Sequence, residues 1–142
     1  MRFRFVDHTA DVEFIAYGKT DNELFANALA AVFETIADTK GLKRSKERVV
    51  KLNVDERADR LDELLWNTLQ YSLSYAESKG VFAYEVGSIE VRDEKGVFSC
   101  SASINTKAKS DRFSKLGVKG VSRYELKIKK GKTMEARVVL DV

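Results

Sequence analysis

The spacing of apolar residues changes period along this chain, and that change limits the possible fold more than any other feature. Most segments alternate at period two, the signature of half-buried strands. Phe3 and Phe5 alternate with Arg2 and Arg4 in RFRFV, and Phe14 and Ala16 mark one face of VEFIAYG, ended by Gly18. Val50, Leu52 and Val54 alternate, as do Phe82, Tyr84 and Val86 in VFAYEVG. SIEVRDEKGVFSCSASI reads as a hairpin turning at DEKG, with Phe98, Cys100, Ala102 and Ile104 on one face. VSRYELKIKKGKTMEARVVLDV reads as a second hairpin around KKGK. Tyr124, Leu126 and Ile128 face Met134, Ala136, Val138 and Leu140 across it.

Only two stretches switch to helical spacing. In the first, Thr20 and Glu23 form a capping box ahead of a stripe of Phe25, Leu29, Val32, Phe33 and Ile36 that ends before Gly41. In the second, DERADRLDELLWNTLQYSLSYAESKG, the residues Leu61, Leu65, Thr68, Leu69, Ser72, Leu73 and Ala76 share a face. Its acidic residues crowd the first turns, where they complement the helix dipole, and Gly80 is the stop. Residues 105–120 are polar, basic and irregular, with room for a short helix. Strand, strand, helix, strand, helix and a run of strands predict a two-layer α+β fold, two main helices on mostly antiparallel sheet. A strand–helix–strand–strand unit occurring twice, one copy nested in the other at roughly 42–105, fits the order. The whole chain, 1–142, is expected to be a single domain.

Composition removes several function classes. A net charge of +3 on 142 residues does not make a broadly basic nucleic-acid binder. The basic stretches 40–51 and 107–132 could meet RNA or an acidic protein, but no RNA motif with interleaved aromatics accompanies them, and they read as solvated faces. No apolar run approaches the ~20 residues of a membrane span. No charged and apolar leader precedes the first strand, so a cytoplasmic protein is expected. One cysteine excludes an internal disulfide framework and a Cys-rich zinc site. Cys100 alternates with Phe98 and Ala102, which suits a packed thiol better than a nucleophile. His8 has no evident serine or cysteine partner, and no Gly-rich phosphate loop is present. Trp66 sits between leucines and reads as a packing residue. An independent enzyme is not expected.

The polar cluster FVDHTADVEF and the ending VVLDV remain. Asp7 and Thr9 suit ordinary turn chemistry. Asp11 stands at the threshold of an apolar strand, where a carboxylate needs a cation, a backbone nest or a basic side chain. At the other end the Asp141 carboxylate adjoins the α-carboxylate of Val142. Such carboxylates can simply be solvated. Joined by a third, they suit a hard cation such as Ca²⁺ or Mg²⁺.

DHTADVEF from Asp7, YGKTDNELFANALAAVF after it, LDELLWNTLQYSLSYAESKGVFAYEV in the middle, VKGVSRYELKI late and VVLDV at the end together resemble the archease family. The resemblance runs nearly end to end. Glu13, Gly120 and Ser122 depart from the family pattern, which has glycine, alanine and threonine at these positions. The resemblance implies a strand–helix–strand–strand domain with a related subdomain inserted. It also implies a non-enzymatic activator of the RtcB-type, GTP-dependent tRNA-splicing RNA ligase. Such an activator promotes guanylylation of the ligase histidine, permits multiple turnover and broadens the nucleotide accepted. The implied metal site uses Asp11 and Asp141, with Val142 adding its terminal carboxylate. Lys119 is the implied ligase contact, and RNA would be met only indirectly. The alternative is a chaperone or modulator of DNA- or RNA-processing proteins.

Overall fold

The computed structural model describes residues 1–7 and 11–142. His8 and Thr9 therefore lie outside the described residues. The elements are β1 (Phe3–Val6), β2 (Val12–Gly18), α1 (Asp21–Ile36), α2 (Thr39–Arg44), β3 (Val50–Ala58), α3 (Leu61–Lys79), β4 (Val81–Glu94) and β5 (Val97–Ala108). A 3₁₀ turn follows (Asp111–Phe113), then β6 (Gly120–Val121), β7 (Lys127–Lys129) and β8 (Met134–Asp141). The fold is α+β, as expected.

Two antiparallel sheets form. The first runs β1-β2-β8, and the far edge of β8 is shared by β6 and β7; the second runs β3-β5-β4. In chain order the second sheet and α3 fall between α1 and the strands that complete the first sheet. The helices join the two sheets. α1 packs on β2 of the first and β4 of the second, and α3 packs on β3 and reaches β6 and β7. One apolar core results, with Phe14, Val138 and Leu140 from the first sheet, Val54 and Ile104 from the second, and Phe25, Leu29, Leu65 and Leu69 from the helices. Each such side chain, fully buried, contributes about 1.5–3 kcal/mol.

Local chemistry explains the helix ends. Thr20 Oγ1 accepts from the Glu23 N–H at 3.1 Å, and Glu23 Oε2 accepts from the Lys19 N–H at 2.8 Å. The box therefore closes one residue earlier than the usual reciprocal pair. Gly18 makes the entry to α1 tight: a Cβ there would stand 2.4 Å from the Leu24 backbone nitrogen. Gly80 ends α3 in the left-handed region at φ 66°. The second-sheet hairpin turns on Lys95 and Gly96, both at positive φ (53° and 82°). Two central residues at positive φ suit the twist of a two-residue hairpin.

The structure corrects several boundaries. Residues 55–58, expected in the second helix, extend β3, and α3 starts only at Leu61. Leu52 and Val54 are buried, while Glu56 and Ala58 continue their face half-buried on the edge of the sheet. VFAYEVG and SIEVRDE are one strand, β4, which absorbs Gly87 through irregularities near Ala83–Glu85 and Val86–Ser88. β5 continues through Ala108, so four residues expected to be irregular are strand. The basic stretch after α1 contains α2, capped by Asp38, whose Oδ1 accepts from the Gly41 N–H at 3.0 Å.

The last hairpin is interrupted. Val121 pairs with Leu140 and Lys127 with Arg137, so six steps along one side face three along β8. The excess is expelled around Arg123–Glu125. Tyr124, expected to line a strand, is 93% exposed, and the excursion lets Val121 and Leu126 both point inward.

Lys107 is the least expected feature. It belongs to a basic stretch read as solvated, yet it is 3% exposed. Its Nζ donates to Leu42 O at 2.6 Å and Ser45 O at 2.9 Å, at the C-terminal end of α2. It also lies 5.1 Å from the centre of the Tyr84 ring. Leu42 O also accepts from the Ser45 hydroxyl at 2.8 Å, and the buried ammonium adds a charged donor at this helix end, where it complements the helix dipole. Below it, Ala37, Leu42, Phe82, Tyr84 and Phe113 form a small separate apolar cluster.

Candidate functional site

Strand pairing carries the two acidic stretches to one place. β2 and β8 are antiparallel with Val12 opposite Leu140. Asp11 immediately precedes Val12, and Asp141 immediately follows Leu140. On the other side of β8, Gly120 pairs with Asp141, and the Lys119 N–H donates to Asp141 O at 2.7 Å. Asp11, Asp141, Val142 and Lys119 thus meet at one end of the first sheet. Asp11 is half-buried, and the other three are exposed.

α3 holds this end in place. Trp66 Nε1–H donates to Val121 O at 2.9 Å, and Gln70 Oε1 accepts from the Val121 N–H at 2.9 Å. Residues 66 and 70 are one helical turn apart, so a single face of α3 satisfies both backbone groups of Val121. β6 is only two residues long, and these bonds on one side and β8 on the other fix it. Arg123 lies over the Trp66 ring, 4.7 Å from its centre, and pairs with Glu63 at 3.8 Å. Gly120 is matched to this arrangement: a Cβ would stand 3.1 Å from Gln70 Oε1. Trp66 is therefore a packing residue with a second task, positioning β6, which sequence reasoning missed. The signal was the pair Trp66 and Gln70 at helical spacing.

The donor set at this end is carboxylate oxygen, which fits Ca²⁺ or Mg²⁺ and not a soft metal. Among the described residues, no group of three His, Cys, Asp or Glu side chains stands close enough to hold a metal ion. Asp11 and Asp141 bring two carboxylates to this end of the sheet, fewer than the oxygen donors a hard cation takes. Asp7, the other described acid of the opening motif, is exposed. Deeper in the first sheet, Glu13 is nearly buried on β2 and is paired with Arg137 of β8 at 3.1 Å. That pair neutralises the one acidic residue that departs from the family motif.

Elsewhere the titratable groups are structural. Cys100 is buried, and burial pushes its thiol up to about 11, which removes it as a nucleophile at neutral pH. Hydrogen bonds from Lys43 and Asn105 hold the Glu85 carboxyl below its ordinary range. Among the described residues, no helix is long and apolar enough to cross a membrane.

Comparison with known proteins bears on the family and the fold. Residues 3–142 match the model of the archease protein family (MTH1598/TM1083). The protein archease of Methanosarcina barkeri is 33% identical, with 99% of this chain and 96% of that protein aligned. That of Archaeoglobus fulgidus is 30% identical over the full length of both. The solution structure of Methanobacterium thermoautotrophicum protein 1598 has the same fold, with a TM-score of 0.80, 24% identity and 99% of each chain covered. The chain belongs to the archease family.

Proposed function

We infer that this protein is a non-enzymatic activator of an RtcB-type, GTP-dependent tRNA-splicing RNA ligase, working in the cytoplasm. It would promote guanylylation of the ligase, sustain multiple turnover and broaden the nucleotide the ligase accepts. The observation that carries this reading is the register of β2 on β8, which brings Asp11 beside Asp141 in a member of the archease family. Asp11 and Asp141 would hold a divalent cation, Ca²⁺ or Mg²⁺, with the Val142 carboxylate as a further oxygen donor. Such an ion supplies charge stabilisation and placement to phosphoryl chemistry. The chain's own part is geometric. Lys119 and Trp66 fix the β6–β8 end, and the exposed Lys119 side chain is available to an acidic surface of the ligase. RNA would be touched only through the ligase. The competing reading, a chaperone or modulator of DNA- or RNA-processing proteins, predicts help to unrelated clients and indifference to the acidic pair.

The deciding experiment is single-turnover guanylylation of the ligase with wild type, Asp11→Asn and Asp141→Asn. An outer partner of a metal site typically contributes about 10–100-fold, so loss of a direct ligand should slow guanylylation at least about tenfold. Variants as active as wild type would remove the metal reading and favour the chaperone alternative.

A further inference from the structure

A cleft of about 700 Å³ lies between α1, α3, the start of β4 and the segment 109–119. Its size falls in the range of small-molecule sites, about 300–1,000 Å³. Val32, Phe33, Ile36, Leu73, Phe82 and Val118 give it apolar walls. The segment over it is tied down rather than loose. The Lys109 N–H donates to Gly80 O at 3.0 Å, the Lys115 N–H to Ile36 O at 2.9 Å and the Asp38 N–H to Phe113 O at 2.8 Å. The cleft is therefore built by the fold.

One polar group in its wall is unexplained by folding. Ser72 lines the cleft, is 2% exposed, and its hydroxyl has no hydrogen-bond partner. Buried hydroxyls on helices ordinarily donate to the carbonyl four residues back. Thr35 does so to Ala31 O and Thr68 to Leu64 O, both at 2.8 Å. Ser72, one turn beyond Thr68 on the same helix, does not. A buried hydroxyl left unpaired costs free energy that a ligand's polar atom would recover. The charges around the cleft favour neither sign. Lys109 is paired with Glu77 and lies over the Phe82 ring, and the remaining charged residues of the lining are one of each sign, Asp111 and Lys119.

We propose that this cleft is a binding site for a small, uncharged, largely apolar molecule carrying one hydrogen-bonding group, which Ser72 recognises. The cleft reaches Lys119, which is bonded to Asp141, but the proposal does not depend on the activation reading. The probes are 2-naphthol and naphthalene, which share a ring system and differ by the hydroxyl. Each is titrated into the full chain and followed by backbone amide NMR shifts. The expected result is saturable binding with shifts confined to the end of α1, the second half of α3, the start of β4 and residues 109–119. Ser72→Ala should lower the ratio of 2-naphthol to naphthalene affinity by about fivefold, the worth of one hydrogen bond. Ala76→Trp and Leu116→Trp start from half-buried and exposed positions at the cleft. Either should block both probes while keeping the wild-type amide dispersion. Absence of saturable binding, shifts centred elsewhere, or unchanged binding in the folded tryptophan variants would overturn the site. An unchanged affinity ratio in Ser72→Ala would overturn the role of its hydroxyl.

Discussion

Two charged regions of this molecule are built in opposite ways. At one end of the first sheet, Asp11 and Asp141 are brought together by strand register, and Asp141 stays in solvent. Beneath α2, Lys107 is buried and surrounded by carbonyl oxygens that the chain itself supplies. The lysine is satisfied by the fold, so its charge serves the fold. The acidic pair brings two carboxylates together at the end of the sheet, where a bound cation would offset their like charge. A charge that the fold surrounds with its own carbonyls is a stability element, and two like charges that strand register brings together are a candidate for function.

This contrast can be broken by experiment. The largest effect on stability is expected at Lys107. Lys107→Met keeps the apolar stem but strips donors from buried carbonyls, and should cost about 3 kcal/mol in urea unfolding. If it folds, it should still activate the ligase. A variant as stable as wild type would mean that these carbonyls find water. Next comes the brace between helix and strand. Trp66→Phe deletes the bond to Val121 O and should cost about 1 kcal/mol. It should also loosen β6, seen as faster amide hydrogen exchange at Lys119 and Ser122, whose N–H groups donate to Asp141 O and Val139 O. Unchanged exchange there would show that pairing with β8 alone holds this end.

The Glu85–Lys43 pair should show a smaller, pH-dependent effect. Glu85 is held below its ordinary range first by the hydrogen bond from Lys43 and then by that from Asn105. A lowered carboxyl stabilises the fold above its unfolded pKa and loses that contribution as pH falls through the folded value. The pair is partly exposed, which screens it. Wild type should therefore exceed Glu85→Gln modestly in urea midpoint at neutral pH, with the gap closing as the pH falls below the ordinary carboxylate range. A gap that persists at the low pH would assign the difference to packing. The smallest effect belongs to the exposed Asp141: Asp141→Asn should change stability by no more than about 0.5 kcal/mol.

Much of this was legible from residue spacing. The strands with clean alternation, the stripe of α1, the Thr20 cap and the Gly80 stop all follow from local chemistry. What escaped depends on partners distant in sequence. Asp55, Glu56 and Arg57 are charged and, with Ala58, could join either neighbouring element; only pairing with β5 makes them strand. The six-residue α2 is too short to show a helical period. The expulsion of Tyr124 follows from the register of β8 on both sides of it, which no local pattern contains. Lys107 looks like any surface lysine until Leu42 and Ser45 are placed beside it. At the candidate site, Asp11 and Asp141 were visible as oddities at two strand ends. Their neighbouring positions come from the β2–β8 register, and the brace by Trp66 and Gln70 from the packing of α3 on β6.

The central claim is that Asp11 and Asp141 act as one unit across that pairing. A double-mutant cycle in single-turnover ligase guanylylation tests it most directly, comparing Asp11→Asn, Asp141→Asn and the double variant. If the pair shares one ion, either substitution removes most of the activation and the double variant is no slower than the worse single one. Two singles whose effects multiply in the double variant, or singles that activate as well as wild type, would contradict it.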